Sequence, residues 1–465
     1  MSTRKISVFE ILIWILLPVI ILLAVSPYVV GFKIKSEYAQ TVNRFADLLQ
    51  MDMQIEEYNQ GFYSSDAVLS LSFPDSPEKL YLNEKIIHGP VSLGLLNQHQ
   101  LPFVVAEVNG ELDVEKSEID FLNKLFSGKS ALMYQHVLAF NGDIKTQLYS
   151  PSIQSTFENS HERITVTSSG ALLNHLINDD GIKGDFSLPS LKVKSDSTLM
   201  TVDALAVNFT AREGDNQLMV GDSVISVNAL EIDSELEQFA LKSFAARSVT
   251  SDNNELINSG TQISISEVLA SNHKFGPLKF NLSLNGLNAQ SLHQLQSLQQ
   301  QLNEKRSQGI PEEQLNAMLM GQVMMIVPDL IKQAEIRVNP FSINSELGRL
   351  ESDMSFSITG IEANTPADPV LLMQAINFDL NLSIDEPLIK QIISWNIQNM
   401  QSTGDVITPS SQLVSDNLNE LVKEKWLIKN EEIYLSEIKM SQGQMLVNGK
   451  AIDPLQQIIS NTSTQ

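Results

Sequence analysis

From Phe103 to about residue 285 the chain is one alternating run after another, and this most restricts what it can fold into. FVVAEVNGELDV, NGDIKTQLYS, ERITVTSSGALL, GIKGDFSLPSLKVKS, LMTVDALAVNFTAREGDNQLMVGDSVISVNALEID and TQISISEVLASNHKFGPLKFNLSLNG alternate apolar with polar residues, separated by Gly, Asp or Asn. Successive side chains of a strand point to opposite faces, so these runs predict antiparallel strands with one covered face. Earlier, Met51, Met53 and Ile55 alternate before Gly61, and Ala67, Leu69, Leu71 and Phe73 after it. That pattern predicts a strand, a bend and a second strand. Asp180-Gly181 in NDDGIKGD is read as a hairpin turn. Leu122 to Met133 is read as a short helix.

Beyond Asn285 the period changes. Leu292, Leu295, Leu298 and Leu302 make one helical stripe, and Leu315, Met318, Leu319, Val323, Ile326, Val327 and Leu330 a second. Strands are expected at about 334–343 and 349–359, with Gly348 at their turn. INFDLNLSID then runs into a helix that Asp385 can cap, with Pro387 in its first turn. A further helix at about 411–425 precedes strands in EEIYLSEIKMS and GQMLVNGK. The expected class is α+β: a long, curved antiparallel sheet with helices packed on it in the C-terminal half. The expected division is 1–35, 36–285 and 286–465. KFNLSLNGLNAQSLHQL echoes NFDLNLSIDEPLIKQI, and Gly89-Pro90 echoes Gly276-Pro277. Duplication and the ordinary likeness of strands both account for that.

Ile11 to Phe32, ILIWILLPVIILLAVSPYVVGF, contains no charged residue. As a helix it would be roughly 33 Å long, enough to cross a bilayer. Pro27 after Ala24-Val25-Ser26 argues against cleavage there, so the run is read as an uncleaved signal anchor. Arg4 and Lys5 before it are balanced by Lys33 and Lys35 after it. The long acidic remainder without a second span points to a single-pass protein whose C-terminal bulk is exported. SEYAQTVNRFADLL, with Tyr38, Val42, Phe45 and Leu49 on one face, is expected to form an amphipathic helix next to it.

A net charge of −24 argues against nucleic acid as a partner, since phosphate binding needs clustered Lys and Arg. The absence of cysteine excludes disulfides, thiolate nucleophiles and Cys-type metal sites. The seven histidines include no pair at helical spacing, and SGKS at Ser127 to Ser130 lacks the first glycine of a phosphate-binding loop. No nucleophile elbow occurs. No catalytic residue, cofactor site or metal site is therefore assigned.

Two places are singled out instead. Gly61, Phe62, Tyr63, Ser64 and Ser65, with Gly89-Pro90, are read as architecture. The glycine permits the bend, the aromatic pair anchors it and the serines bond the turn. In NAMLMGQVMMIVPDL, Met320 and Met324 lie beside the stripe of Leu315, Leu319, Val323, Ile326 and Leu330. A core helix accounts for them, and so does contact with an apolar ligand, for which flexible thioethers are suited.

The anchor, YNQGFYSSDAVLSLSF, HGP at His88 to Pro90, VPDLI at Val327 to Ile331 and the terminal IYLSEIKMSQGQMLVNGK together resemble the YdgA-like family of bacterial membrane-anchored proteins, a domain of unknown function. The resemblance covers nearly the whole chain in order. It implies a bacterial inner-membrane protein with its bulk in the periplasm, and it carries over no catalytic residue. The expected role is non-catalytic, in envelope maintenance, with lipid or a protein partner in an apolar groove and with self-association open. The alternatives are an envelope hydrolase whose site forms only in the fold, and a self-associating scaffold.

Overall fold

The computed structural model describes residues 26–35, 37–43, 46, 51–72, 79–117, 120–159, 162–234, 238–253, 255–270, 273–307, 310–360, 374–400 and 411–452. The chain divides into two compact units, Met1–Thr210 and Ala211–Gln465.

The first unit begins with helical residues 26–35 and 37–43. There follow β1 (Asp52–Gln60), β2 (Ser64–Ser72), β3 (Lys79–His88), α1 (Leu93–Asn97), β4 (Ala106–Asp113), α2 (Asp120–Phe126) and β5 (Met133–Leu138). Next come β6 (Ile144–Ser150), β7 (Ile153–Asn159), β8 (Glu162–Ser168), β9 (Ala171–Asn178) and β10 (Gly181–Lys194). The alternation predicted these strands, because successive side chains of a strand face opposite sides of the sheet. In β2, Ser65, Ala67, Leu69 and Leu71 are buried.

Strands β1 to β6 pair antiparallel in chain order. The next ladder is long and interrupted. Ser150 pairs Ala171 and Ile153 pairs Ser168 in one register, so β6–β7 and β8–β9 act as two long strands. Pro151, with no backbone N–H to donate, lies at the interruption. β10 continues the meander, pairing β9 with its first half and β8 with its second. Asn178 pairs Gly181, closing the expected hairpin around residues 179–180. α2 packs Phe126 against Leu112 and Val114 of the chain leaving β4.

Strand β11 (Thr198–Glu213) carries the chain into the second unit. There β12 (Met219–Ser234), β13 (Gln238–Asn253), β14 (Leu256–Ile265), β15 (Glu267–Ala270) and β16 (His273–Asn288) form another antiparallel meander, β14 and β15 together pairing β13 and β16. Helices α3 (Ala289–Ser307) and α4 (Glu312–Ile331) connect β16 to its neighbour β17 (Glu335–Ser345). β18 (Gly348–Ile358) and β19 (Ile376–Asp385) extend the sheet.

Helices α5 (Glu386–Met400) and α6 (Ser411–Lys423) precede β20 (Ile428–Asn430), β21 (Ile433–Ser441), β22 (Gln444–Val447) and β23 (Lys450–Ile452). β21 pairs β19, and β20 and β22 pair β21. Leu388, Ile389 and Leu418 of α5 and α6 bury against Leu350, Ile384 and Tyr434, forming the core of this end. Asp385 immediately precedes α5. Its Oδ2 accepts from the Arg349 backbone N at 2.8 Å and so secures the β17–β18 turn.

The β-rich antiparallel architecture with C-terminal helices is as expected, but the N-terminal transmembrane helix is not. Among the described residues no single helix is long and apolar enough to cross a membrane, and only the bent pair Glu313–Val323 and Met325–Ile331 passes on length and composition. Residues 11–25 of the expected span lie outside the described residues. The rest of it, up to Phe32, belongs to a described helix of residues 26–35, about 15 Å long at 1.5 Å per residue. The physical reason is an inward stripe. Pro27, Gly31 and Val42 are buried, and Ile34 and Tyr38 are half-buried, at spacings of three and four. They lie on the sheet of the first unit, with Gly31 over the His88 ring and the Tyr38 ring 5.5 Å from that of Tyr58. Composition alone does not distinguish apolar helical residues that pack on protein from those that face lipid. The signal anchor, single-pass inner-membrane location, periplasmic placement, membrane partner and envelope role inferred from that run are withdrawn with it.

Candidate functional site

The two faces of the first unit's sheet carry different polar groups. Ser65, Glu84, Ile86, His88, Val108, Gly110, Tyr134 and His136 share one face by register. The N-terminal helix covers part of it. Tyr38 and Tyr134 each donate to one oxygen of the Glu84 carboxylate. Gly110 makes room for the Tyr134 ring, since a Cβ there would sit 2.1 Å from Cζ. Burial raises the Glu84 carboxyl above the ordinary carboxylate range, against the pull of the two phenols. Burial and the Glu84 charge raise both phenols in turn.

On the same face Ser65 Oγ lies 2.9 Å from His88 Nε2, and His88 Nδ1 lies 3.3 Å from the Phe62 carbonyl. Burial lowers the His88 imidazole below its ordinary range, despite the Phe62 and Pro27 carbonyls. The neutral ring therefore donates from Nδ1 and accepts from Ser65 at Nε2. A serine with a histidine base is the opening of a nucleophilic site. Here Ser65 is 0 % and His88 1 % exposed, so no substrate reaches them, and the pair is a latch between β2 and the end of β3.

The bend itself is closed by Gly61 N donating to Ser64 O at 2.9 Å. Phe62 stacks on Tyr28 at 5.5 Å, Tyr63 is exposed, and the Tyr63 carbonyl accepts from His88 N. Gly89 and Pro90 follow, with Gly89 N donating to Val105 O at 2.9 Å. The sequence marked GFYSS and HGP separately, but the bond that joins them depends on strand register. In the second unit Met320 is 62 % exposed on α4. The Met324 side chain lies outside the described residues.

Among the described residues His136 is the most shifted imidazole, pushed down to about 4 by burial and then by neighbouring His175. Its Nδ1 meets Thr146 Oγ1 at 2.7 Å. A base whose folded value is depressed stabilises the fold above its ordinary value, and that contribution is lost as pH falls towards the folded value. Urea unfolding from pH 7.5 to about 4 is therefore expected to show falling stability of the first unit, with a smaller fall in His136→Asn. Equal falls in the two proteins would remove His136 as the cause.

The opposite face holds an open trough of about 870 Å³. Two rows of side chains, each in register across the strands, line it. Asp66, Lys85, Asn109, Gln135 and Gln147 form the polar row, which Asn174 extends along the ladder. Val68, Asn83, Glu111, Met133, Tyr149 and Leu172 form the second. Neighbouring strands are about 4.8 Å apart, so the polar row repeats at that interval.

Glu107, 1 % exposed, lies beside the row, two residues from Asn109 on the same face of β4. Its Oε1 accepts from Asn109 Nδ2 and Gln135 Nε2, both at 2.8 Å, and its Oε2 accepts from Ser92, the N-cap of α1. This buried acceptor orients two amides and leaves each a carbonyl oxygen and a second N–H for another partner. Gln147 donates to Asn174 at 3.1 Å, and Asn174 to Asp185 at 3.0 Å. Polar alternation on the solvent side of a sheet is ordinary, and so gave no sign in the sequence that these residues line a concavity. Among the described residues no group of three or more His, Asp or Glu side chains is placed to hold a metal ion.

A family model described as "Bacterial protein of unknown function (DUF945)" matches residues 8–454. The chain belongs to this family. The resemblance read from its motifs is thereby shown, over nearly the full length of this DUF945 chain. No curated protein and no solved structure matches it.

Proposed function

We propose that this DUF945 chain is a binding protein, and that the trough of its first unit holds an extended, hydroxyl-rich ligand of the saccharide class. The observation that carries the reading is the polar row from Asp66 to Asn174, held in register over six strands with two amides pre-oriented by Glu107. Amides and carboxylates present donors and acceptors in fixed planes, which suits vicinal hydroxyls. The interval between strands is comparable to the length of one pyranose unit, so a chain crossing the strands meets a similar set of groups at each step. Tyr149, 40 % exposed in the second row, offers a ring on which the apolar face of a sugar can rest. A cavity of this size accommodates several such units. A binding role is favoured over hydrolysis because the Ser65–His88 pair is sealed from the trough side.

The test is calorimetric titration of the purified full chain with linear hexasaccharides of glucose and of N-acetylglucosamine. At least one is expected to bind. Gln135→Ala and Tyr149→Ala are each expected to weaken that binding about tenfold, or about 1.4 kcal/mol, with unchanged melting. Failure of every hexasaccharide to bind at millimolar concentration, or equal affinity in both variants, would overturn the assignment.

A further inference from the structure

The second unit carries a smaller cleft of about 350 Å³ on one face of strands β13, β14, β16 and β17. Register fixes its walls. Arg247 pairs Gln262 and Gln262 pairs Asn281, while Val249 pairs Gly260, Gly260 pairs Ser283 and Ser283 pairs Arg337. Gly260 forms the floor. It has no side chain, and a Cβ there would meet only the Leu282 carbonyl, at 3.9 Å. Asn339 enters the same cleft from a bulge in β17, where the registers with both β16 and β18 shift. Bulges re-aim side chains and are common beside binding sites.

The charge of the lining is opposite to that of the protein. The chain has 55 Asp and Glu against 31 Lys and Arg, yet no carboxylate lines this cleft and two arginines do. Gln262, Asn281, Ser283 and Asn339 add amide and hydroxyl donors. Arg337 is paired with Glu335 at 2.6 Å, a residue outside the lining, and both side chains are partly exposed. Arg247 has no carboxylate partner among the described residues. An arginine kept free, in a donor-rich cleft of a strongly acidic protein, is arranged for an oxyanion, which guanidinium groups bind through paired N–H donors.

We propose that this cleft is a binding site for a small ligand bearing phosphate or carboxylate groups, held between Arg247 and Arg337. Glu335 competes with the ligand for the Arg337 guanidinium. The site belongs to the second unit and is independent of the trough.

The test is calorimetric titration of the full chain at low salt with inorganic phosphate and, separately, with citrate. Saturable one-site binding by at least one is expected, and the stronger of the two identifies which oxyanion the cleft prefers. Arg247→Ala and Arg337→Ala should each weaken binding about tenfold or more. Added sodium chloride should weaken it further, since it screens exposed charges. Glu335→Gln, which frees Arg337, should tighten it, a change that a merely structural arginine would not produce. Melting curves of the arginine variants should match the parent, because both side chains are on the surface. Binding by neither anion, or binding that is unchanged in both arginine variants, would overturn the proposal.

Discussion

Gly89→Ala is expected to destabilise the first unit by about 3 kcal/mol and to lower its melting transition by about 6–12 °C. A Cβ at Gly89 would sit 1.9 Å from the Val104 carbonyl oxygen and 2.7 Å from that of Val105. Both are backbone atoms, and they cannot retreat: Val105 N donates to Leu138 O at 2.8 Å, and Val104 N donates to Pro90 O at 3.2 Å. Relief requires breaking the Gly89 N to Val105 O bond or displacing the neighbouring His88, and with it the Ser65 contact. The control is Gly321→Ala, in the middle of α4 with nothing within 4 Å of the added Cβ. Alanine is the better helix former by about 1 kcal/mol, so that change should leave melting unaltered or raise it. Scanning calorimetry of the two variants checks both outcomes, and an unchanged first transition in Gly89→Ala would contradict the close approach.

Glu84→Leu should be the second large loss, about 3 kcal/mol, because it leaves two largely buried phenols without an acceptor. Tyr38 lies on the N-terminal helix, so the loss should appear as faster amide exchange at residues 37–43 before the sheet itself is affected. Glu84→Gln keeps an acceptor and a similar shape, and should cost much less. The pH dependence follows from the raised carboxyl. The folded protein holds a proton on Glu84 that the unfolded chain releases near 4.5, so this group contributes stability below that value and loses it as pH rises through the folded value. The stability of the parent relative to Glu84→Gln should therefore fall between pH 4.5 and pH 8 in urea unfolding. A difference that stays constant or grows over that range would refute the assignment.

The alternation of Ala67, Leu69 and Leu71, and the stripes at Leu298 and Leu315, were sufficient to predict the strand series and the helices, because each pattern is local. The sites were less legible. Asn109 and Gln135 are 26 positions apart, and nothing near either one in sequence predicts that Glu107 orients both. Likewise Arg247 and Arg337 reach one cleft through three successive strand pairings, each of whose registers is set by turns and bulges along the way. The expected anchor failed for a related reason. Pro27, Gly31 and Val42 make a protein-facing stripe only when the sheet bearing His88 and Glu84 is present to receive it.

By itself the sequence determined the β-rich antiparallel class, the helices of the C-terminal half, the acidic charge, the absence of thiol chemistry and the family. These depend on composition, short-range periodicity and motifs that stand in order along the chain. Only the tertiary structure decided that Ser65 and His88 form a closed latch, that Glu84 ties Tyr38 of the N-terminal helix and Tyr134 of β5 to one carboxylate, and that one polar row lines a trough. Each of these depends on which residues face one another across strands, and a shift of register by a single residue would turn every one of those side chains to the other face.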